Sequence, residues 1–190
     1  MKITLVTSNT DKAKEVGAFF KNELEVSHVS LDIPEIRSDD IGLIARNKAG
    51  FAYDHLHTPL IVDDTEFSID ALNGFPGLYA AYVLHTIGNK GILKLMENNP
   101  DRRASFTTAI AFADDNGIRV FKGTIAGMIT QTPRGNEGFG YDAIFDLNGR
   151  TLAELSLEEK SRISHRARAL IAFHDWLTGE GRLNSHNPNG

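Results

Sequence analysis

The apolar positions of the chain change period several times, and each change marks an element. Residues 3–6, Ile-Thr-Leu-Val, read as a short buried strand. The polar loop Thr7-Ser8-Asn9-Thr10 follows, and from about Asp11 the residues Ala13, Val16, Phe19 and Phe20 recur on one face of a helix. A second extended stretch covers roughly 26–31, and Pro34 ends it before Asp39 and Asp40 start another helix, from Ile41 to about Leu56. Residues 60–62 read as the next strand, ending at Asp63 and Asp64, and 66–72 alternates with period two as a half-exposed strand does.

Asn73-Gly74 and Pro76-Gly77 then punctuate a turn-rich crossing. A helix over about 90–96 precedes two strands, 104–113 and 118–130, joined by the hairpin signal Asp114-Asp115-Asn116-Gly117. The length of that hairpin suggests a second lobe or a dimer surface projecting from the first sheet, with a cleft beside it. Residues 133–141 are a glycine-bearing loop, 142–145 a short strand, and a final helix runs to about Leu177. Residues 1–178 are expected to form one domain, and 179–190 a polar, disordered tail. Strands alternating with helices predict an α/β fold.

Composition narrows the function classes. A chain of 190 residues, 41% hydrophobic and 24% charged, has enough apolar side chains for a core. Without cysteine, disulfides, thiolate nucleophiles and thiolate zinc sites are excluded, so chemistry must use oxygen and nitrogen groups. The apolar start is too short for a signal peptide, and no run approaches the ~20 apolar residues of a membrane span. The reading is a cytoplasmic protein with no membrane partner. A formal net charge of −5 works against nucleic acid as a partner, which needs clustered basic residues. The basic stretch Lys160 to Leu170, KSRISHRARAL, therefore needs a local explanation.

Several residues are costly where they stand. Lys48 falls among Ile41, Ala45, Ala49 and Ala52 on the helical wheel, so it either snorkels past them or meets a buried anion. Asp63 and Asp64 repel each other unless a cation uses them; the alternative is a strand terminator with a turn cap. Glu35 is a third acid beside a strand end. Carboxylates from two segments, completed by phosphate and water, suit Mg²⁺. Lys12 in a first helical turn opposes the macrodipole, and a bound phosphate would reverse that sign; a solvated surface lysine is the plainer reading. GFGYD, Gly138 to Asp142, is either turn and core or an aromatic platform for a base.

Taken in order, SNTDK, Pro34-Glu35, Asn47 to Ala49, DDT followed by DALNGFPG, GFGYD and EEKSRISHRARAL resemble the motifs of the inosine/xanthosine triphosphate pyrophosphatases, from about residue 3 to 177. The resemblance implies an elongated mixed β-sheet with flanking helices and two lobes around a central cleft, a homodimer, and Mg²⁺-dependent splitting of a purine nucleoside triphosphate into monophosphate and pyrophosphate. It implies a triphosphate loop at Thr7, Ser8, Asn9, Thr10 and Lys12, with Lys48 a further phosphate contact. It implies a metal site at Glu35 and Asp64, with Asp64 the proton acceptor for water, and a substrate contact at Thr65. The implied nucleoside pocket is Phe139, Gly140, Tyr141, Asp142, Lys160, His165 and Arg166. Many members have glycine at Ser8, serine-glycine at Thr65-Glu66 and proline at Ala143; Glu66 adds charge beside the metal site.

Donors from His165 or Arg166 would favour a base with oxygen at C6 over adenine, whose amine is itself a donor. In an unbroken helix at about 100° per residue, His165 and Arg166 would point about 140° and 240° away from Lys160. They could not share a pocket. The geometry therefore predicts a break near 161–164, with Ser164 capping a new helix. A house-cleaning pyrophosphatase for modified pyrimidines and a nucleotide-binding module without turnover are the rival readings; the intact Glu35 and Asp64 weigh against the second.

Overall fold

The strand predicted at residues 3–6 becomes β1 (Lys2–Val6), with Ile3 and Leu5 fully buried. In the computed structural model, which describes residues 2–21 and 23–179, α1 (Thr10–Phe20) and β2 (Glu25–Val29) follow. The expected tail lies, Gly179 apart, outside the described residues. The next helix is α2 (Ile41–Leu56), capped by Asp40, whose Oδ1 accepts from the Gly42 amide at 2.8 Å. β3 (Leu60–Ile69) and β4 (Pro76–Gly77) lead to α3 (Ala80–Thr86) and α4 (Gly88–Leu95). β5 (Arg103–Asp114), β6 (Gly117–Ile129), β7 (Phe145–Leu147) and β8 (Arg150–Thr151) precede α5 (Leu157–Ile163) and α6 (His165–Gly179).

All the strands join one sheet in the order β2-β1-β3-β5-β6-β7-β8, with β4 on the side of β3 away from β5. β1 runs parallel to β2 and β3, and the remaining pairs are antiparallel. The mixed α/β class expected from the sequence is the observed one. α1 and α6 bury Val16, Phe20, Leu170 and Phe173 on one face, against Ile3, Leu5, Ile61 and Phe112. α2 covers the other face, where Ala45, Ala49 and Ala52 meet Ala109, Ala111 and Ala113. Small side chains on both partners let helix and sheet approach closely. A third cluster, around Phe67, Phe106, Phe145, Ile92 and Met96, fills the far end of the sheet. Among the described residues no helix is long and apolar enough to cross a membrane.

Three expectations change. The strand expected at 60–62 does not end at the two aspartates; β3 runs ten residues, pairing with β5 along its whole length. What ends at Val62 is the pairing with β1. The acids are tolerated in mid-strand because cations meet them on both faces, as the site geometry shows below. The hairpin of β5 and β6 does not project from the sheet but lies inside it, between β3 and β7. Residues 142–144 form a 3₁₀ turn rather than a strand, because Asp142 bends back to accept from the Phe139 amide at 2.7 Å. The crossing after Pro76 also contains α3, a helix that the turn residues concealed.

The break at Ser164 is present. Its backbone is extended (φ −67°, ψ 166°), its amide closes α5 on the Lys160 carbonyl, and its Oγ accepts from the Ala167 amide at 3.1 Å to open α6. The start of α6 lies flat on β6 at Gly123, where a Cβ would stand 2.3 Å from both the Ala169 nitrogen and the His165 carbonyl oxygen. Neither backbone atom can move without shifting the helix. Gly123→Ala is therefore expected to lower stability by about 1–3 kcal/mol, measured by urea unfolding; an unchanged midpoint would show that α6 is not held at this contact.

Candidate active site

The loop after β1 is held from both sides. The Asn9 amide donates to Thr7 Oγ1 at 3.1 Å, and Asn9 Oδ1 accepts from the amides of Asp11 (2.9 Å) and Lys12 (3.1 Å), capping α1. Such a cap contributes about 1 kcal/mol. His28 Nε2 lies 2.6 Å from the Thr7 carbonyl oxygen. Ser8 and Thr10 are exposed at the rim, whereas Asn9 and Lys12 face the cavity behind it.

Beyond Val62, β3 carries its acids alternately to opposite faces. Asp63 points to the α1 and α6 side. Lys12 Nζ donates to its backbone carbonyl at 2.9 Å and pairs with Oδ1 at 2.5 Å. Arg166 Nε donates to Oδ2 at 2.7 Å and Nη2 to Oδ1 at 3.3 Å. Burial alone would raise the Asp63 carboxyl, but the charges of Arg166 and Lys12 outweigh it and hold the group far below the usual carboxylate range. Lys12 is thus no solvated surface lysine.

Asp64 points to the α2 side, where Lys48 Nζ donates to Oδ1 at 2.6 Å and also pairs with Glu35. Lys48 meets an anion rather than snorkelling. Burial lowers its ammonium pKa, yet the Asp64 charge and the two hydrogen bonds outweigh it and hold it above its ordinary value. At Asp64 the balance is opposite: burial pushes the carboxyl up and Lys48 offsets only part of that. Burial dominates there because Oδ2 is sealed from solvent and has no hydrogen-bond partner among the described residues.

That orphaned oxygen, with Glu35 across the Lys48 ammonium, is a donor set suited to a hard divalent cation. No third acid or histidine completes a cluster with them among the described residues. Mg²⁺ commonly takes its other ligands from phosphate and water, so the pair fits. Both acids line a groove of about 950 Å³ together with Glu66, which lies on the same face as Asp64 and accepts from Ser68 Oγ at 2.7 Å.

On the other face lies a cavity of about 170 Å³; Thr65 lines both it and the groove. Lys160 and Arg166 form its floor, each almost fully buried. Lys160 pairs with Asp142 and, at 2.6 Å, with Glu15; Arg166 pairs with Glu15 and donates to Thr65 Oγ1 at 3.1 Å. Burial works against the Arg166 charge, and Asp63 and Glu15 overcome it, raising the pKa. Burial raises the Asp142 carboxyl, with Lys160 offsetting part. The Phe139 ring centroid lies 4.7 Å from Lys160 Nζ and 5.8 Å from Arg166 Cζ, a double cation–π contact. Tyr141 stacks on Phe67 at 4.4 Å and its hydroxyl donates to the Ala80 carbonyl at 2.7 Å. The Gly140 carbonyl accepts from Asn89 Nδ2 at 3.0 Å.

His165 enters the same cavity because α6 begins there. Its ring stacks on Phe106 at 4.7 Å and 15°, and Nδ1 lies 2.6 Å from Thr108 Oγ1. Burial, then the charges of Arg166 and Lys160, drive its pKa well below the ordinary histidine value, so the ring is neutral.

Sequence reasoning missed Glu15, Phe106, Thr108 and the wall that α3 supplies through Ala80, Leu84 and His85. Glu15 left a signal, a carboxylate three residues after Lys12 and directly before the core residue Val16. Thr108, in mid-strand, left none.

A profile of the Ham1 family matches residues 3–176. A dITP/XTP pyrophosphatase of Methanopyrus kandleri is 46% identical over 182 residues, covering 93% of this chain and 96% of that one. Inosine triphosphate pyrophosphatase 2 of Trypanosoma cruzi is 43% identical over 176 residues, 90% of each chain. The Ham1 protein of Staphylococcus aureus, a solved structure, superposes with a TM-score of 0.80 at 30% identity, covering 95% of this chain and 100% of that one. With the match running from β1 into α6, the chain belongs to the Ham1 family.

Proposed function

We propose that the protein is a nucleoside triphosphate pyrophosphatase that hydrolyses deaminated purine nucleotides, inosine, deoxyinosine and xanthosine triphosphates, to the monophosphate and pyrophosphate. One observation carries the reading: the cavity floored by Lys160 and Arg166 and walled by Phe139 and Tyr141 shares Thr65 with the groove that Asp64 and Glu35 line. A base in the former places its phosphates toward the latter. The names of the relatives from M. kandleri and T. cruzi support the substrate class. The reading includes a homodimer in the cytoplasm, as the resemblance of the sequence implies.

In this mechanism Asp64 accepts a proton from water, whose oxygen attacks the α-phosphorus while the bond to the α–β bridging oxygen breaks. Its Oδ2, without a hydrogen-bond partner among the described residues, is the atom that would accept the proton. Lys12 and Lys48 lie on either side of β3, and in this reading they take up charge on the departing pyrophosphate. Asp64 and Glu35 would hold Mg²⁺, which when bound supplies neutralisation of phosphate charge.

The base is chosen by donors. Arg166 already spends four N–H bonds on Asp63, Glu15 and Thr65, which leaves one for substrate. Neutral His165 has a single N–H to offer. Such donors pair with a C6 oxygen and leave the amine of adenine unmatched, a penalty worth orders of magnitude in selectivity.

Asp64→Asn is expected to lower kcat by about a thousandfold or more while thermal unfolding stays cooperative; near-normal turnover would refute the assignment of the base. Excess chelator should stop the reaction and added Mg²⁺ restore it. The product, followed by phosphorus NMR, should be pyrophosphate and not orthophosphate.

The buried neutral His165 also sets a pH dependence. Its folded pKa lies below the unfolded value, so the unfolded chain binds the extra proton; the contribution is complete above about pH 6.5 and is lost as pH falls below it. Stability should fall by up to about 1.4 kcal/mol per pH unit from this group. The slope of Tm against pH should flatten in His165→Gln, and an equal slope in both proteins would exclude His165 as its source.

A further inference from the structure

We propose that Thr108, through a one-way chain of hydroxyl protons running from Arg166 by way of Thr65, fixes His165 with its proton on Nε2, and so determines which purines the cavity accepts. The proposal rests on the reading of this cavity as the nucleoside pocket.

The geometry is a continuous chain. Arg166 Nη2 lies 3.1 Å from Thr65 Oγ1, Thr65 Oγ1 lies 3.0 Å from Thr108 Oγ1, and Thr108 Oγ1 lies 2.6 Å from His165 Nδ1. Sheet register creates the middle link, since Thr65 on β3 and Thr108 on β5 are direct cross-strand partners. Thr108 is fully buried, so solvent cannot supply a substitute. A guanidinium can only donate. Thr65 therefore accepts at that contact and has one proton to give. Passed to Thr108, it leaves the Thr108 proton for His165 Nδ1, which must then carry a lone pair. A neutral imidazole with Nδ1 as acceptor has its proton on Nε2.

Direction matters because the chain begins on a cation. A charged donor polarises the hydroxyl it binds and strengthens that hydroxyl as the next donor. The reverse order would turn the Thr65 proton out of the chain and put the histidine proton on Nδ1. Nε2 has no protein partner among the described residues, while His165 lines the cavity with Nδ1 turned to Thr108. The Phe106 stack keeps the ring from flipping. An Nε2–H presented to the cavity pairs with the C6 oxygen of a deaminated purine; an Nε2 lone pair would pair with the amine of adenine. Thr108 is thus a positioning residue, acting on the base through His165.

The test has two arms. In protein labelled with ¹⁵N-histidine, long-range ¹⁵N–¹H spectra of the ligand-free protein should show His165 with a protonated Nε2 and an unprotonated Nδ1. A proton on Nδ1, or averaging between both forms, overturns the proposal. In Thr108→Val, which keeps the shape and removes the hydroxyl, the ratio of kcat/KM for inosine triphosphate over ATP should fall about tenfold or more, while Thr108→Ser retains it. A ratio within about twofold of the parent in Thr108→Val also overturns it. Should Thr108→Val fail to fold, the spectrum of the parent protein decides alone. Absence of pyrophosphate release from any deaminated purine would instead refute the proposed activity and leave the tautomer measurement standing.

Discussion

The pairing of β3 with its neighbours governs the site. β5 accompanies β3 through all ten residues, but β1 stops at Val62, so the next residues keep strand geometry with one edge free. A strand in that state sends successive side chains to opposite faces while staying rigid. Asp63 and Asp64 consequently serve two different chemistries from adjacent positions. One is neutralised by Lys12 and Arg166 and becomes part of the floor; the other keeps an unpaired oxygen and an elevated pKa. Neither could do so at a flexible loop tip.

The cations that meet these acids come from helices whose placement depends on small residues and caps. α2 delivers Lys48 because an alanine seam brings it against the sheet. α6 delivers His165 and Arg166 because Ser164 restarts the helix and Gly123 leaves room for it. An isolated buried ion pair gains little over an apolar pair of the same shape, whereas stripping one partner from it is expensive. Its use here is therefore one of position: Glu15 sits between Lys160 and Arg166 and holds both at fixed places on the floor.

Much of this was legible before any coordinates. The first two helices and the long hairpin follow from periodicity and caps; the break at Ser164 follows from the angular spacing of three basic residues once the family resemblance puts them in one pocket. Lys48 left a choice between snorkelling and a buried anion, and Asp64 is that anion; Lys12, read as a solvated lysine or a phosphate contact, pairs instead with Asp63. Other features were hidden for physical reasons. The acids appeared to end a strand because a charged pair in a continuous strand is costly unless partners from distant segments meet it, and those partners lie 51 and 103 residues away for Asp63. α3 was masked by its glycine- and proline-rich approach. Thr108 is an ordinary strand threonine by any local measure; its meaning comes only from what stands across the sheet and above it.

The balance of the floor has a kinetic side. Lys12, Lys160 and Arg166 are matched by Glu15, Asp63 and Asp142, so the deep part of the site carries no surplus attraction for a polyanion. The chain as a whole bears a formal charge of −5. Diffusional encounter with a free nucleotide is then opposed at long range, and dissolved ions, by screening that repulsion, hasten encounter instead of slowing it. Under the proposed function, capture then rests on short-range contacts and on a counter-ion that the nucleotide brings with it.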